Sequence, residues 1–300
     1  NSLDAGATSI VIDAEEGGVD LLRVTDNGEG VSKADLLLAV SRHATSKISA
    51  LIDLDRIKSL GFRGEALASI SSVSKFLLIS RDGDSEHAWK IKCLGGDALP
   101  CEPAAHTHGT TIEVRDLFYN TPVRKKFLKT SRTEFSKLKE CVCRQALSRY
   151  DVSYVFKHNG KTIFQLPACS SLEESQARIA KVCGQNFIDN TFYVDHKTHE
   201  MTLSGWIASP AFSRSQSDLQ YFFVNGRVVR DKLVNHAIKQ AYRDVLFHGR
   251  HSAYVLYLEL DPISVDVNVH PTKHEVRFRN NKEVHGFLYG SLHQIIARAK

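Results

Sequence analysis

The 300-residue chain predicts an α+β fold of two mixed α/β-sandwich domains. Three observations carry that reading. Alternating or apolar strand-like runs are interleaved with amphipathic helices throughout. Each half contains an Asn-Gly hairpin signal. Composition turns small and polar once, at PACSSLEES (167–175), which places a domain boundary between residues 1–171 and 172–300.

The elements follow in order. NSLDA (1–5) reads as the last part of a helix, stopped by Gly6, with TSIVIDAE (8–15) as the first strand. No initiator Met precedes it, so an N-terminal segment is expected upstream. EEGG turns the chain into a second strand, DLLRVTD (20–26). Ser32 and Asp35 fit a capping box before LLLAV, a short helix. SRHATSK (41–47) is polar and breaks the periodicity. GFRGEAL (61–67) leads into a helix-like ALASISSV, and FLLIS, AWKIKCL and TTIEVRDLF read as strands. Ser131 and Glu134 cap a second helix. It turns Phe135, Leu138, Val142 and Ala146 to one face and leaves Lys137, Lys139 and Arg144 to solvent. SYVFKHNGKTIFQL (153–166) is a hairpin.

In the second half, the helix EESQARIAKVCG leads to strands and to the hairpin YFFVNGRVV (221–229). DKLVNHAIKQAYRDVL (231–246) is a helix with Leu233, Val234, Ala237, Ile238, Ala241 and Tyr242 on its inner stripe. AYVLYLELDP, SVDVNVHP and HEVRF are strands.

Composition excludes several classes. An apolar fraction of 42% suffices for a conventional core. No window approaches the ~18 uninterrupted apolar residues of a membrane helix. There is no fixed-period repeat or low-complexity tract. Net charge is +5, from 39 basic and 34 acidic residues, so local clustering matters more than the total. Six cysteines with no CxxC pair fit a reduced intracellular protein with buried thiols. His270 and His274 flank Pro-Thr-Lys with no third ligand apparent, which is too few for zinc.

The chemistry centres on TDNGEG (25–30), directly after a strand. Taken alone it reads as a turn, because Asp and Asn favour turns and Gly supplies positive φ. The P-loop pattern is absent, and Gly28-x-Gly30 lacks the third glycine of a dinucleotide fingerprint. GFRGEAL alone reads as a structural loop, although backbone donors at a helix start, Arg63, and Thr45, Ser46 and Lys47 suit an anion. HGTTIEV (108–114) puts a glycine and two threonines at the mouth of a strand.

Together these segments carry more. Asn1-x-x-Asp4-Ala5, Asp26-x-Gly28-x-Gly30, Gly61-Phe62-Arg63-Gly64-Glu65-Ala66-Leu67 and Gly109-Thr110-Thr111 resemble, in order, the four signature motifs of the GHKL ATPases. Within that group NSLDAGA, SRHATSKI, GFRGEALASISSV, DLFYNTPVRKKFL, VNGR and DVNVHPTKHEVRF resemble the MutL family of DNA mismatch-repair proteins. The resemblance covers essentially the whole chain. It implies a GHKL (Bergerat-type) ATPase domain followed by a ribosomal-S5-like domain that completes the ATP site and a DNA groove.

By that resemblance, Asn1 coordinates a Mg²⁺ bridging the phosphates of ATP, and Asp26 accepts from the adenine amino group. Gly28 and Gly30 let the base lie against the backbone, and Thr111 supports the adenine through water. Thr45, Ser46 and Lys47, with Gly61, Phe62, Arg63, Gly64, Glu65, Ala66 and Leu67, form a lid over the triphosphate. Lys273 reaches the γ-phosphate from the second half; a solvated loop lysine is the alternative. The family's general-base glutamate lies four residues before the motif asparagine, a position that precedes Asn1. The fragment is therefore expected to hydrolyse ATP little, and the complete protein slowly.

The implied partners are DNA, held without sequence specificity, a mismatch-recognition protein, a downstream helicase or nuclease, and a second copy on ATP binding. No membrane is implied. The setting is bacterial, cytoplasmic and nucleoid-associated. Arg227 is the first candidate for DNA contact, with Arg230, Arg124, Lys125, Lys137 and Arg144; solvated helix faces are the alternative. A type II topoisomerase ATPase subunit shares the nucleotide motifs but is not expected to carry FYNTPVRKKFL. A nucleotide-independent DNA-binding module with vestigial motifs stays open. A histidine kinase lacks support, since no phosphoacceptor helix is evident.

Overall fold

Strand alternation in the first half closes into one nine-stranded sheet. The computed structural model describes residues 1–41, 65–267 and 275–298. These fall into two compact units that divide between Ser170 and Ser171.

The first unit contains β1 (Ser9–Glu15), β2 (Leu21–Asp26), α1 (Lys33–Val40), α2 (Ala66–Ser71), β3 (Lys75–Arg81), β4 (Ala88–Leu94), β5 (Asp97–Ala98) and β6 (Glu102–Ala104). It continues with β7 (Gly109–Arg115), α3 (Pro122–Lys125), α4 (Ser131–Ser148), β8 (Ser153–His158) and β9 (Lys161–Leu166). The sheet order is β5-β4-β3-β7-β2-β1-β8-β9, with β6 also on β4. β1 and β8 run parallel and the other pairs antiparallel.

Period-2 alternation gives this sheet two chemically different faces. Ile10, Ile12 and Ala14 of β1 are buried on the inner face, as are Phe76 and Leu78 of β3 and Tyr154 and Phe156 of β8. Leu36 and Val40 of α1 pack against the β3 part of it. The other face carries a ladder of charge. Arg23 lies opposite both Asp13 and Glu113. Its Nε donates to Glu113 Oε1 at 2.7 Å, its Nη1 reaches Asp13 Oδ2 at 3.4 Å, and Arg115 Nε donates to Glu113 Oε2 at 3.0 Å.

The helix caps sharpen the sequence reading. Ser32 accepts from the Asp35 N–H at 3.3 Å, while the Asp35 carboxylate accepts from the Ser32 hydroxyl rather than reaching back to the backbone. In α4 the cap falls one residue before the expected Ser131. Thr130 Oγ1 accepts from Thr133 N, and Glu134 accepts from Lys129 N. The expected strand TTIEVRDLF stops at Arg115, because Asp116 and Phe118 adopt φ of 52° and 64°, outside strand geometry.

The second unit contains α5 (Leu172–Cys183), α6 (Gln185–Ile188), β10 (Thr191–Lys197), β11 (Met201–Ala208), β12 (Gln220–Val224) and β13 (Arg227–Val228). It continues with α7 (Lys232–Ala241), β14 (Tyr254–Leu260), β15 (Val265–Asp266), β16 (Arg277–Phe278) and α8 (Asn281–Arg298). Its main sheet runs β10-β11-β14-β12-β13. Val234, Ala237 and Ile238 of α7 and Leu288 and Leu292 of α8 bury one face of it with Leu203 and Leu256. Ser171 and Glu174 form the full capping box of α5, and Asp231 caps α7. α7 ends at Ala241, earlier than the expected Leu246. Tyr242 is pulled inward there, its hydroxyl donating to Ala208 O at 2.5 Å. α8 was not foreseen; its buried Val284, Leu288, Leu292 and Ile296 recur every four residues, but Gly286 and Gly290 weaken the helix signal between them.

Both hairpins are built as expected. Asn159 and Gly160 (φ 48° and 73°), like Asn225 and Gly226 (φ 48° and 76°), hold the positive φ pair that a two-residue turn of matching twist requires. All six thiols are free. Burial raises the Cys143 thiol to about 11, keeping it protonated at neutral pH.

The ladder yields a pH dependence. Burial alone pushes the Glu113 carboxyl up, but its hydrogen bonds to Arg23 and Arg115 outweigh this and hold it below the ordinary carboxylate range. A folded-state value depressed in this way adds stability above the unfolded value, lost as pH falls through the folded one. Glu113→Gln is expected to cost up to about 1 kcal/mol at neutral pH. In urea unfolding across a pH series, the gap from the parent should close below about pH 4. A gap that ignores pH would assign the loss to packing instead.

Candidate functional site

The candidate site forms where β2 ends. Asp26 is its last residue, buried on the inner face with 8% exposure. A buried carboxylate needs donors, and two are present. Ser2 Oγ donates to Oδ2 at 2.5 Å, and the Gly28 N–H donates to Oδ1 at 3.0 Å. These orient the group and leave further acceptor positions on both oxygens. Ser2 belongs to a tight turn opened by Asn1, in which Ala5 N bonds Asn1 O and Ala7 N bonds Ser2 O. Asn1 itself is exposed.

Three polar side chains lie in one row across the inner face. Asp26 pairs with Thr110 of β7, and Thr110 pairs with Ser80 of β3. Ser80 Oγ lies 2.8 Å from Thr110 Oγ1, takes the Val31 N–H at 2.8 Å, and donates to Gly109 O at 3.0 Å. The register corrects one expectation. Thr111, expected beside the adenine, pairs with Thr25 and so projects from the opposite face. There Thr25 Oγ1 lies 2.9 Å away and His106 Nε2 2.7 Å away. His106 Nδ1 faces the Thr107 carbonyl at 2.5 Å, so Nδ1 carries the proton and donates. Thr110 is the threonine on the Asp26 side. Ser2 and Ser80, also in the site, were missed because a lone serine in a turn or at a strand end carries no motif.

The glycines have a structural role besides the expected one. A Cβ on Gly28 would lie 2.7 Å from Ala5 O. On Gly30 (φ 79°) it would lie 2.3 Å from Arg81 O. On Gly109 (φ 120°) it would lie 2.1 Å from Asp26 O. What comes so close to the backbone here is the protein's own backbone. Three chain segments converge on the end of β2 and seat Asp26.

Of the expected lid, Glu65 stands at the N-cap of α2, Glu65 and Ala66 are exposed, and Leu67 packs with the core around Leu36 and Phe76. Thr45, Ser46, Lys47, Gly61, Phe62, Arg63, Gly64 and Lys273 lie outside the described residues, as do His270 and His274. Among the described residues no group of three or more metal-ligating side chains forms a cation site.

The expected DNA-contact residues divide. Arg124, Lys125, Lys137 and Arg230 are exposed. Arg144 is not left to solvent as expected; its side chain is 12% exposed and pairs with Glu140. Arg227, expected in the VNGR turn as a DNA contact, is the first residue of β13 and only 8% exposed. The helix pattern turned Arg144 to solvent and the VNGR turn offered Arg227, but burial of these two is decided by packing.

Comparison with known proteins gives a consistent picture. Residues 1–94 match the family of histidine kinase-, DNA gyrase B- and HSP90-like ATPases. Residues 179–297 match the C-terminal domain family of DNA mismatch repair proteins. The chain is 55% identical over 301 residues to the DNA mismatch repair protein MutL of Cellvibrio japonicus, spanning all of this chain and 48% of that protein. It is 57% identical over 298 residues to MutL of Pseudomonas entomophila, spanning 99% of this chain and 47% of that one. It thus spans about half the length of these curated relatives. Among solved structures, the N-terminal domain of a DNA repair protein matches with a TM-score of 0.78 at 25% identity, covering 99% of this chain and 91% of that one. The Aquifex aeolicus MutL ATPase domain complexed with ADP matches with a TM-score of 0.62 at 29% identity, covering 87% and 88%.

The close approach at Gly109 is testable. Gly109→Ala adds a clash with the Asp26 carbonyl to left-handed strain and is expected to cost at least about 3 kcal/mol. Gly160→Ala, at a turn with nothing within 4 Å of the added carbon, should cost only the strain, about 1–2 kcal/mol. Equal losses in denaturant unfolding would refute the close-approach account.

Proposed function

The chain belongs to the MutL family of DNA mismatch-repair proteins, within the GHKL ATPases, and from that premise we propose that it is the ATP-binding switch of a mismatch-repair clamp. The observation that carries this reading is the buried inner-face row Asp26–Thr110–Ser80 beside the Asn1–Gly6 turn. A carboxylate held by Ser2 and Gly28 still has capacity to accept from a purine's 6-amino group, where guanine carries a carbonyl acceptor instead. Thr110 stands opposite as a further hydroxyl partner.

ATP is the cofactor that suits this acceptor-rich row. Asp26 would hold its adenine, and Asn1, exposed in the N-terminal turn, would ligate a Mg²⁺. Bound nucleotide supplies a phosphoanhydride whose slow hydrolysis times the switch. The residues of this chain orient the base. Nucleotide binding favours pairing of two copies around DNA, an equilibrium biased by ligand. The paired form then engages a mismatch-recognition protein and a downstream helicase or nuclease at the bacterial chromosome. No described helix is long and apolar enough to cross a membrane.

DNA contact falls to the exposed cations Arg124, Lys125, Lys137 and Arg230. Their bonds go to phosphates and carry no sequence information.

Two measurements test this. Titration of a non-hydrolysable ATP analogue with Mg²⁺ should show Asp26→Asn abolishing binding and Thr110→Val weakening it about tenfold, a loss of ~1.4 kcal/mol for a buried hydrogen-bonding group. Thr111→Val, on the outer face, should stay within about twofold; the reverse ranking would sink the assignment. Duplex affinity should fall steeply with salt, and Arg124→Glu with Lys125→Glu should flatten the slope by about 2. Affinity indifferent to salt would remove the phosphate-contact role.

A further inference from the structure

The segment Tyr119–Lys129 presents an arrangement that phosphate contact alone leaves unexplained. α3 starts at Pro122, and its helical turn continues past Lys125 through backbone bonds from Lys126 N to Pro122 O and Phe127 N to Arg124 O. Val123 and Phe127 are four residues apart, so they share one face of this turn. They are 71% and 75% exposed. An apolar pair standing this far out of its own fold gains little from hydrophobic burial there.

The surroundings are cationic. Arg124, Lys125, Lys126, Lys129 and Arg132 are all exposed. Among the described residues none of the five is held in an ion pair, and three carboxylates of the same unit are engaged with other partners. Glu134 serves Lys129 N and Lys137, Glu140 serves Arg144, and Asp116 serves Lys75.

We propose that Phe127 is a base-stacking residue that lets this basic segment bind single-stranded DNA, with Val123 flanking the stacked base. The inference rests on the DNA-binding reading of Arg124 and Lys125 and deepens it. A single strand offers both things the segment displays a complement to: a phosphate chain for the cations and unstacked base faces for the ring. A duplex offers only the first, since its base faces are already stacked. Aromatic side chains set in a positive groove are the sequence-tolerant way of holding single strands.

The test uses the 300-residue chain, an oligothymidylate and a duplex of equal length, with affinity read by fluorescence anisotropy. Phe127→Leu, which keeps apolar bulk but loses the π-face, should weaken single-strand binding about five- to a hundredfold. Its duplex affinity should stay within twofold and its salt slope should not change. Phe127→Trp should restore single-strand affinity, with indole fluorescence quenched on binding. Because Phe127 is so exposed, unfolding midpoints of both variants should match the parent. Equal losses on the two substrates, no loss on either, or no quenching overturns the stacking role. If Lys125→Glu weakens both substrates while Phe127→Leu weakens neither, phosphate contact stands and stacking falls. If Lys125→Glu also changes nothing, the DNA-binding reading of the segment falls with it.

Discussion

The structure depends on a convergence of backbone at the end of β2. At Gly28, Gly30 and Gly109 a single added carbon would meet another segment's carbonyl at 2.7 Å or less. These approaches bring together the N-terminal turn, the end of β3 and the start of β7, three segments far apart in sequence. Asp26 sits at their meeting point. Its carboxylate is buried, and the cost of desolvating it is offset by donors that the same convergence delivers, Ser2 from the turn and the Gly28 amide. A site assembled this way is pre-organised by the fold rather than by a ligand.

The pleat then separates two kinds of chemistry on one sheet. The inner face buries aliphatic and aromatic side chains and closes at one edge with the Asp26–Thr110–Ser80 row. The outer face carries the Asp13–Arg23–Glu113–Arg115 ladder and the Thr25–Thr111–His106 chain of hydroxyls and imidazole. Adjacent threonines in one motif therefore belong to different networks. Thr110 serves the site, whereas Thr111 ties β2 to the segment before β7.

Charge is distributed with similar economy. Along α4, Lys137 and Arg144 are tied to acidic neighbours on their own helix. The turn before it, from Arg124 to Lys129, carries no acidic residue and keeps its cations open to solvent. That contrast leaves a short stretch of surface with exposed cations and no carboxylate of its own.

Much was legible in the chain itself, because it rests on local physics. Periodicity marked β1–β4 and α7. The Asn-Gly pairs specified both hairpins, since few residues adopt their left-handed φ. The order of the glycine and asparagine motifs pointed to the GHKL fold and the MutL family. Other features were not legible. α8 was missed because Gly286 and Gly290 lower its intrinsic propensity, and burial of Val284, Leu288, Leu292 and Ile296 stabilises it. The roles of Gly28, Gly30 and Gly109 and the choice of Thr110 over Thr111 required strand register, a long-range property. The burial of Arg144 and Arg227 required packing. The sequence by itself determined which residue types each motif carries and which turns the backbone makes, because those preferences are short-range. Only the tertiary structure decided which face each side chain occupies, because a shift of one residue in strand pairing reverses every one of them.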